Sequence, residues 1–381
     1  MCYNIICDFA LLGTKIIKHI NPKQSKEIIK MKLKKILTAA AASVMMLSMT
    51  ACSQNSDTGS SAANSPAGGN SAGGSSAVTS AEYTGDKVFN IGICQLMEHP
   101  ALDKATEGFK DALTAKLGED HVKFDYQPAQ GEQTNCTTIV NNFVAANVDL
   151  ILANATAPLS AAASATDKIP VIGTSITDYP TALGITEGWT GKSGKNITGT
   201  TDLAPIDQQE KLLKELFPDV KKVGILYCSA EANSKFQANL FEEALKADGI
   251  DYKEFTAADS NEIANTTQTA IGECDVLYIP TDNTFADHTE TVKNIVLPAK
   301  IPVIAGEENI CKGCGVATLS ISYYDIGSIA GDMAYDILVN GKNPGDMEIQ
   351  SAPKFTKKYN KEMCDALSVT APEGYEAIAV E

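Results

Sequence analysis

A chain of 381 residues, 44% hydrophobic and 20% charged, is long enough to bury two cores. It carries 31 Lys and no Arg against 47 acidic residues, a net charge of −16. From Cys52 onward the balance is 23 Lys against 45 Asp and Glu, which excludes nucleic acid and anionic lipid as partners. Without Arg there is no bidentate clamp for a carboxylate or phosphate, so an anion here must be held by dipoles and hydroxyls.

The amino end reads as a targeting segment. From Met31 the sequence "MKLKKILTAAAASVMMLSMTAC" places lysines before an apolar run over 36–47, then small residues, then Cys52. That run is too short to span a bilayer. Because it ends at Cys rather than Ala-x-Ala, the segment resembles a bacterial lipoprotein signal, whose cysteine is acylated after cleavage. Met49 departs from the pattern, which prefers Leu, Val or Ile. Residues 1–51 are therefore read as an upstream extension plus signal, starting at Met31. Residues 52–86 are read as a lipidated Cys52 and a tether. The Ser/Gly/Ala-rich run 53–84 has almost no large apolar residue to offset ordering entropy.

Beyond residue 87 short β-branched runs alternate with amphipathic stretches, which predicts β-α-β units and mostly parallel sheets. The strands predicted in chain order are "FNIGICQ", "HVKFDYQ", "VDLILAN", "IPVIGTS", "NITGTTD", "KKVGILYC", "DYKEFTA", "CDVLYIP", "IPVIAGE" and "GVATLSI". After the first, "PALDKATEGFKDALTAK" keeps Leu102, Ala105, Phe109, Ala112 and Leu113 on one helical face.

Three units recur in the same order. Residues 91–113 align with 223–245, 148–158 with 274–284, and 169–175 with 301–307, pairing Gly92 with Gly224 and Phe109 with Phe241. The duplication predicts two similar α/β lobes. Ligands of such sheets bind at the carboxyl ends of the strands, where helix amino ends point. The cleft loops are then 95–99, 154–156 and 174–177 in lobe 1, and 229–234, 281–283 and 307–309 in lobe 2.

At matched positions lobe 1 has Thr156 and Ser175 where lobe 2 has Asp282 and Glu307. Hydroxyls and helix N–H groups suit an anion and carboxylates suit a cation, so the cleft is expected to hold a small zwitterion such as an α-amino acid. Asp282 and Glu307 are assigned to the ammonium, and Thr156, Ser175 and Thr177 to the carboxylate. Ser229, Asn233 and Ser234 are ancillary donors, and Gln95, Glu98, Asn283 and Tyr323 complete the expected site. Each of these types is also a common helix cap, so capping is the competing reading for any one of them.

The stretches "IGICQLMEHPALDKATEGF", "VDLILANATAP", "IPVIGTSITD", "GILYCSAEANS", "VLYIPTDNT" and "SISYYDIGSIAG" resemble the substrate-binding lipoproteins of ABC importers of the tryptophan/tyrosine type, over about 87–370. The resemblance implies an α/β fold of two similar Rossmann-like lobes with parallel sheets, the type I periplasmic-binding-protein architecture with a ligand cleft between lobes. Lobe 1 would span 87–200 and 322–342, and lobe 2 would span 201–321 and 343–381. Hinges are expected near 200–203, 320–324 and 340–345. It further implies capture of an aromatic amino acid by closure, an ABC permease and its ATPase as partners, and a monomer held at the membrane through lipid alone. Leu96, Met97, Tyr227, Tyr323 and Tyr324 are the expected apolar walls.

No catalytic constellation, metal site or cofactor motif is evident. "CKGC" (Cys311, Cys314) has the spacing of a redox pair, but no second CxxC accompanies it, so a disulfide or simple thiols are expected rather than a metal. "GWTGKS" lacks the first Gly of a phosphate loop and follows no strand, so it reads as a surface turn. A sensory receptor of the same fold, and more remotely an exported redox or hydrolytic enzyme using the CKGC pair or His99, are the competing functions.

Overall fold

The structure, a computed structural model, describes residues 83–379. The signal, Cys52 and nearly all of the expected tether lie outside the described residues.

The first sheet is built from β1 (Phe89–Gln95), β2 (Val122–Pro128), β3 (Leu150–Asn154), β4 (Val171–Thr174) and β5 (Ile197–Thr201), parallel throughout and ordered β2-β1-β3-β4-β5. The second repeats that order with β6 (Lys222–Cys228), β7 (Asp251–Ala257), β8 (Val276–Ile279), β9 (Val303–Ala305) and β10 (Ala317–Ile321). The inner strands β3, β8, β9 and β10 are buried along their whole length. Helices cover both faces of a parallel sheet, so such strands need continuous apolar runs. The edge strands β2 and β7 alternate instead, because one of their faces meets water. The matched glycines do the same work in both sheets. A Cβ on Gly92 would lie 2.6 Å from the Phe143 ring, and one on Gly224 would lie 2.6 Å from Leu277.

The helices of lobe 1 are α1 (Pro100–Leu117), α2 (Gln133–Ala145), α3 (Thr156–Ala165) and α4 (Tyr179–Leu183). Lobe 2 follows with α5 (Ile206–Leu216), α6 (Ala232–Ala247), α7 (Ile263–Ile271), α8 (Asn283–Asp287), α9 (Thr289–Ala299) and α10 (Glu308–Gly313). The chain then returns as α11 (Tyr323–Leu338) to lobe 1 and ends with α12 (Lys361–Leu367) in lobe 2. In α1, Leu102, Ala105, Phe109 and Leu113 are buried as the spacing predicts, and Pro100 starts the helix where its missing N–H costs nothing. The returning α11 lies backbone to backbone on α1: a Cβ on Gly108 would sit 2.2 Å from the Tyr324 carbonyl oxygen, and one on Gly327 would sit 2.0 Å from that of Ala105. No other residue permits that approach.

Three short strands had no signal in the sequence. β11 (Gln350–Ser351) joins β5 in parallel, β12 (Phe355–Tyr359) joins β10 antiparallel, and β13 (Glu376–Ala377) joins β12 in parallel. The chain thus passes between sheets at 202–205, at Ser322 and at 352–354. The third passage falls later than the expected 340–345, and residues 343–351 belong with lobe 1 rather than lobe 2. Gly194 donates its N–H to the Gly345 carbonyl at 3.1 Å, and Ile349 donates to Gly191 at 2.9 Å, which fixes this stretch to lobe 1 before the chain leaves it.

Candidate functional site

The lobes meet along the carboxyl ends of their strands. α4 packs against α6, and α1 packs against α10. On the hinge side of this seam a cavity of about 450 Å³ is lined by Pro100, Lys104, Glu307, Asn309, Lys312 and Tyr323. A hollow of about 500 Å³ lies at the opposite, amino ends of the lobe 2 strands, around Phe217, Val220 and Leu367. None of the cleft loops reaches it.

On the lobe 1 wall, two neighbouring strands end in strained residues. Ala155, after β3, has φ 96°, and Ser175, after β4, has φ 57°. Non-glycine residues resist positive φ, at a cost of order 1–3 kcal/mol, and such outliers gather at functional sites. They are tied together by the Ala155 N–H donating to the Thr174 carbonyl at 3.0 Å. The strain leaves the amino end of α3 with no side-chain cap, and the buried Ser175 Oγ has no partner among the described residues. Asn154 Oδ1 is likewise buried without one. Buried polar atoms are nearly always paired, so a group of unpaired ones beside an uncapped helix end marks a place for a ligand's polar atoms. Thr156 is half-buried at the first turn of α3.

The lobe 2 wall spends its carboxylates differently. Asp282 is 1% exposed and caps α8, accepting from Phe285 N at 2.9 Å and from Cys228 N at 2.7 Å. Glu307 is 2% exposed and caps α10, accepting from Asn309 N at 2.7 Å and Ile310 N at 2.5 Å. For these two the capping reading holds, and their first task is to satisfy backbone donors rather than an ammonium. Burial nevertheless pushes Glu307 up to about 7 against those two N–H bonds. Burial, then the charge of Glu231, holds Asp282 well above the ordinary carboxylate range.

Between the walls stands Asp202, buried at the first chain passage. It accepts from Thr177 Oγ1 at 2.8 Å and from the Tyr323 hydroxyl at 3.0 Å. Burial raises its pKa, with both hydroxyls working against the rise. The charge of Asp202 adds a smaller push to the rise at Glu307. Buried acids that resist ionisation favour a cation that would neutralise them, and the uncapped helix end of lobe 1 favours an anion.

Several expected contacts turn inward instead. Gln95 donates to the Met97 carbonyl at 2.8 Å and to Asp103 at 2.7 Å, and accepts from Thr106 at 2.6 Å and Asn154 at 3.2 Å. Its hydrogen-bonding capacity is used inside lobe 1. Asn233 bonds Glu231, Ser234 and the Thr281 carbonyl, and Ser234 is fully buried beside Asp282. Ser229 is exposed and bonds the Ala257 carbonyl at 3.3 Å, and Glu98 is exposed at the lip. Of the expected apolar walls, Tyr227 turns to Glu254 and Tyr324 to Asp111 on the outer flanks, while Leu96 packs into the lobe 1 core. Met97 packs against the same core, and Tyr323 keeps its place at the seam.

The sequence placed His99, Asn154 and Glu231 within the cleft loops without naming them as ligand contacts, and it omitted Asp202. Asp202 ends a predicted strand, so the strand-end rule applied to all ten strands would have found it. His99 is 5% exposed, and its Nε2 lies 3.1 Å from Asn283 Oδ1 on the opposite lobe. All seven cysteines among the described residues are free and buried. Burial holds the thiols of Cys311 and Cys314 far above their ordinary range, a setting unsuited to a thiolate nucleophile.

Two lobes of matching parallel sheets, joined by three chain passages and closing on a polar seam, define a type I periplasmic-binding-protein fold. Residues 90–381 match the family of ABC transporter substrate binding proteins, and the chain belongs to that family. A "Tyrosine-binding protein" of Clostridioides difficile (strain R20291) is 35% identical over 341 residues, 89% of this chain and 93% of that protein. Among solved structures, an ABC domain in complex with L-Trp from Streptococcus pneumonia has TM-score 0.72 at 32% identity, covering 77% of this chain and 100% of that one. The ligand-free, open structure of a substrate binding protein with adhesive properties from Clostridium difficile has TM-score 0.60 at 34% identity, covering 77% and 100%.

Proposed function

We propose that this protein is the lipid-anchored, extracytoplasmic receptor of an ABC importer, that it captures an aromatic amino acid by lobe closure, and that it hands the solute to a permease. One observation carries the reading: the carboxyl ends of the strands bring buried carboxylates, Glu307 on lobe 2 and Asp202 at the first chain passage, together with an uncapped helix end and the unpaired Ser175 hydroxyl on lobe 1. The ammonium goes to Asp202 and Glu307. The carboxylate goes to the first turn of α3 and to Ser175, which needs no Arg. Tyrosine and L-tryptophan in the names of relatives support the aromatic class. Cys52 carries the anchor, and the acidic domain rides on the run 53–84.

Closure buries the solute, so affinity is coupled to the equilibrium between open and closed lobes. Titration calorimetry of the chain from Ser53 onward with Tyr, Trp and Phe is the test. Saturable binding of at least one is expected, and absence of heat for all three at millimolar concentration rules the solute class out. Metabolic labelling with a fatty acid, compared with Cys52→Ser, tests the anchor.

A further inference from the structure

His99 and Asn283 come from different lobes, and a network in lobe 2 sets how they meet. Glu231 precedes α6, and its carboxylate accepts from Asn283 N at 3.0 Å, Asn283 Nδ2 at 2.7 Å, Thr284 N at 2.8 Å, Thr284 Oγ1 at 2.7 Å and Asn233 Nδ2 at 3.1 Å. An ionised carboxylate only accepts, so the Asn283 amide nitrogen must face Glu231 and its oxygen must face His99. That oxygen is an acceptor, so His99 Nε2 carries the hydrogen and donates. Burial lowers the His99 pKa, opposed by the Asn283 bond and by Glu231, Asp103 and Asp287, and so favours the neutral ring. Every partner of Glu231 lies in lobe 2. The Glu231 network is therefore complete within that lobe, and only the last link needs lobe 1.

We propose that Glu231 is a positioning residue that presets Asn283, and that the His99–Asn283 bond is an interlobe latch made on closure which prolongs the residence of the bound solute. The link is buried, so breaking it by reopening strips Asn283 Oδ1 of its partner before water can fully replace it. A solute enters through the open form, where the link does not exist, so the latch acts on release and leaves capture alone. This inference rests on the receptor reading above.

Stopped-flow measurement on the chain from Ser53 onward, with Tyr or Trp as probe, gives the two rate constants separately. His99→Phe is expected to raise koff by about 5- to 50-fold with kon within about two-fold, on the scale of one lost buried hydrogen bond. His99→Gln, which keeps an N–H donor, should recover part of that loss. Glu231→Gln should also raise koff, yet add little in the His99→Phe background, because it acts through the same link. Unchanged koff in His99→Phe, or fully additive effects in the double variant, would overturn the latch. If neither amino acid binds the unmodified chain, the receptor reading fails on its own. The latch is then read from distances between spin labels, one per lobe: a closed population reduced by His99→Phe supports it, and identical distributions overturn it.

Discussion

The two walls of the cleft occupy the same places in a repeated scaffold and use them in opposite ways. In lobe 2, Asp282 and Glu307 follow β8 and β9 and turn back to cap the next helix. In lobe 1, at the equivalent places, Thr156 and Ser175 make no such cap. Ala155, just before Thr156, and Ser175 itself accept positive φ, and the end of α3 stays open. Duplication supplied identical strand order, and the loops then diverged in whether helix dipoles are answered from within the chain or left for a solute. A polar residue at a strand end is thus no site until its partners are counted.

That contrast can be broken from either side. The largest effect is expected on the lobe 2 wall. Asp282→Ala strips partners from two buried N–H groups and should cost about 2–4 kcal/mol of stability in urea denaturation. If Asp282 instead served only a solute, stability would hold and affinity alone would fall. Next, Asp202→Asn removes a buried charge next to the expected ammonium and should weaken binding about 100-fold by calorimetry, with less than about 1 kcal/mol change in stability.

Glu307 gives a pH signature of intermediate size. Its folded pKa of about 7 lies above that of an unfolded Glu near 4.3, so the folded state binds the extra proton. Stability from this group is therefore present at low pH and lost as pH rises through about 7. The melting temperature should climb between pH 8 and pH 6, and this part of the climb should vanish in Glu307→Gln. An ammonium bound beside it favours the ionised form, so solute binding near pH 7 should release a fraction of a proton, measurable by calorimetry in buffers of different ionisation enthalpy. The smallest effects fall on the lobe 1 wall. Ser175→Ala should weaken binding about 5-fold, on the scale of one hydrogen bond. Ser175→Gly, which relieves the positive φ, should raise stability by a few tenths to 1 kcal/mol while weakening binding just as much.

The scaffold was legible because a buried parallel strand demands an uninterrupted apolar run, and the repeated Gly92 and Gly224 tied the two halves together. The two-residue strands Gln350–Ser351 and Glu376–Ala377 were not, since they are exposed and carry no periodicity. The resemblance implied a passage between lobes near 340–345, yet Gly345 packs on Lys195, and only the pairing of β11 with β5 shows where the chain leaves. In the site, the loops were found but not the allegiance of each side chain. Gln95 and Asn233 look like ligand donors in sequence, and their partners Asp103, Thr106, Glu231 and Thr281 are brought to them by folding. Glu231 fell within the expected cleft loop 229–234, but its bonds to Asn283 and Thr284, 52 and 53 residues away, exist only in the fold.

The close seat of α11 on α1 also has a consequence for how the molecule is made. Lobe 1 begins at the front of the chain, but the helix that fills its glycine groove at Gly108 lies beyond the whole of the contiguous 202–321 segment. A chain emerging amino end first exposes the β1 sheet and the bare flank of α1 while lobe 2 is still being delivered. Its contacts span a long stretch of sequence, which slows closure and leaves an unfinished, sticky surface. Lobe 2 waits as well, because β12 and α12 are made after α11, and lobe 1 stays dependent on protection until Gly327 reaches Ala105.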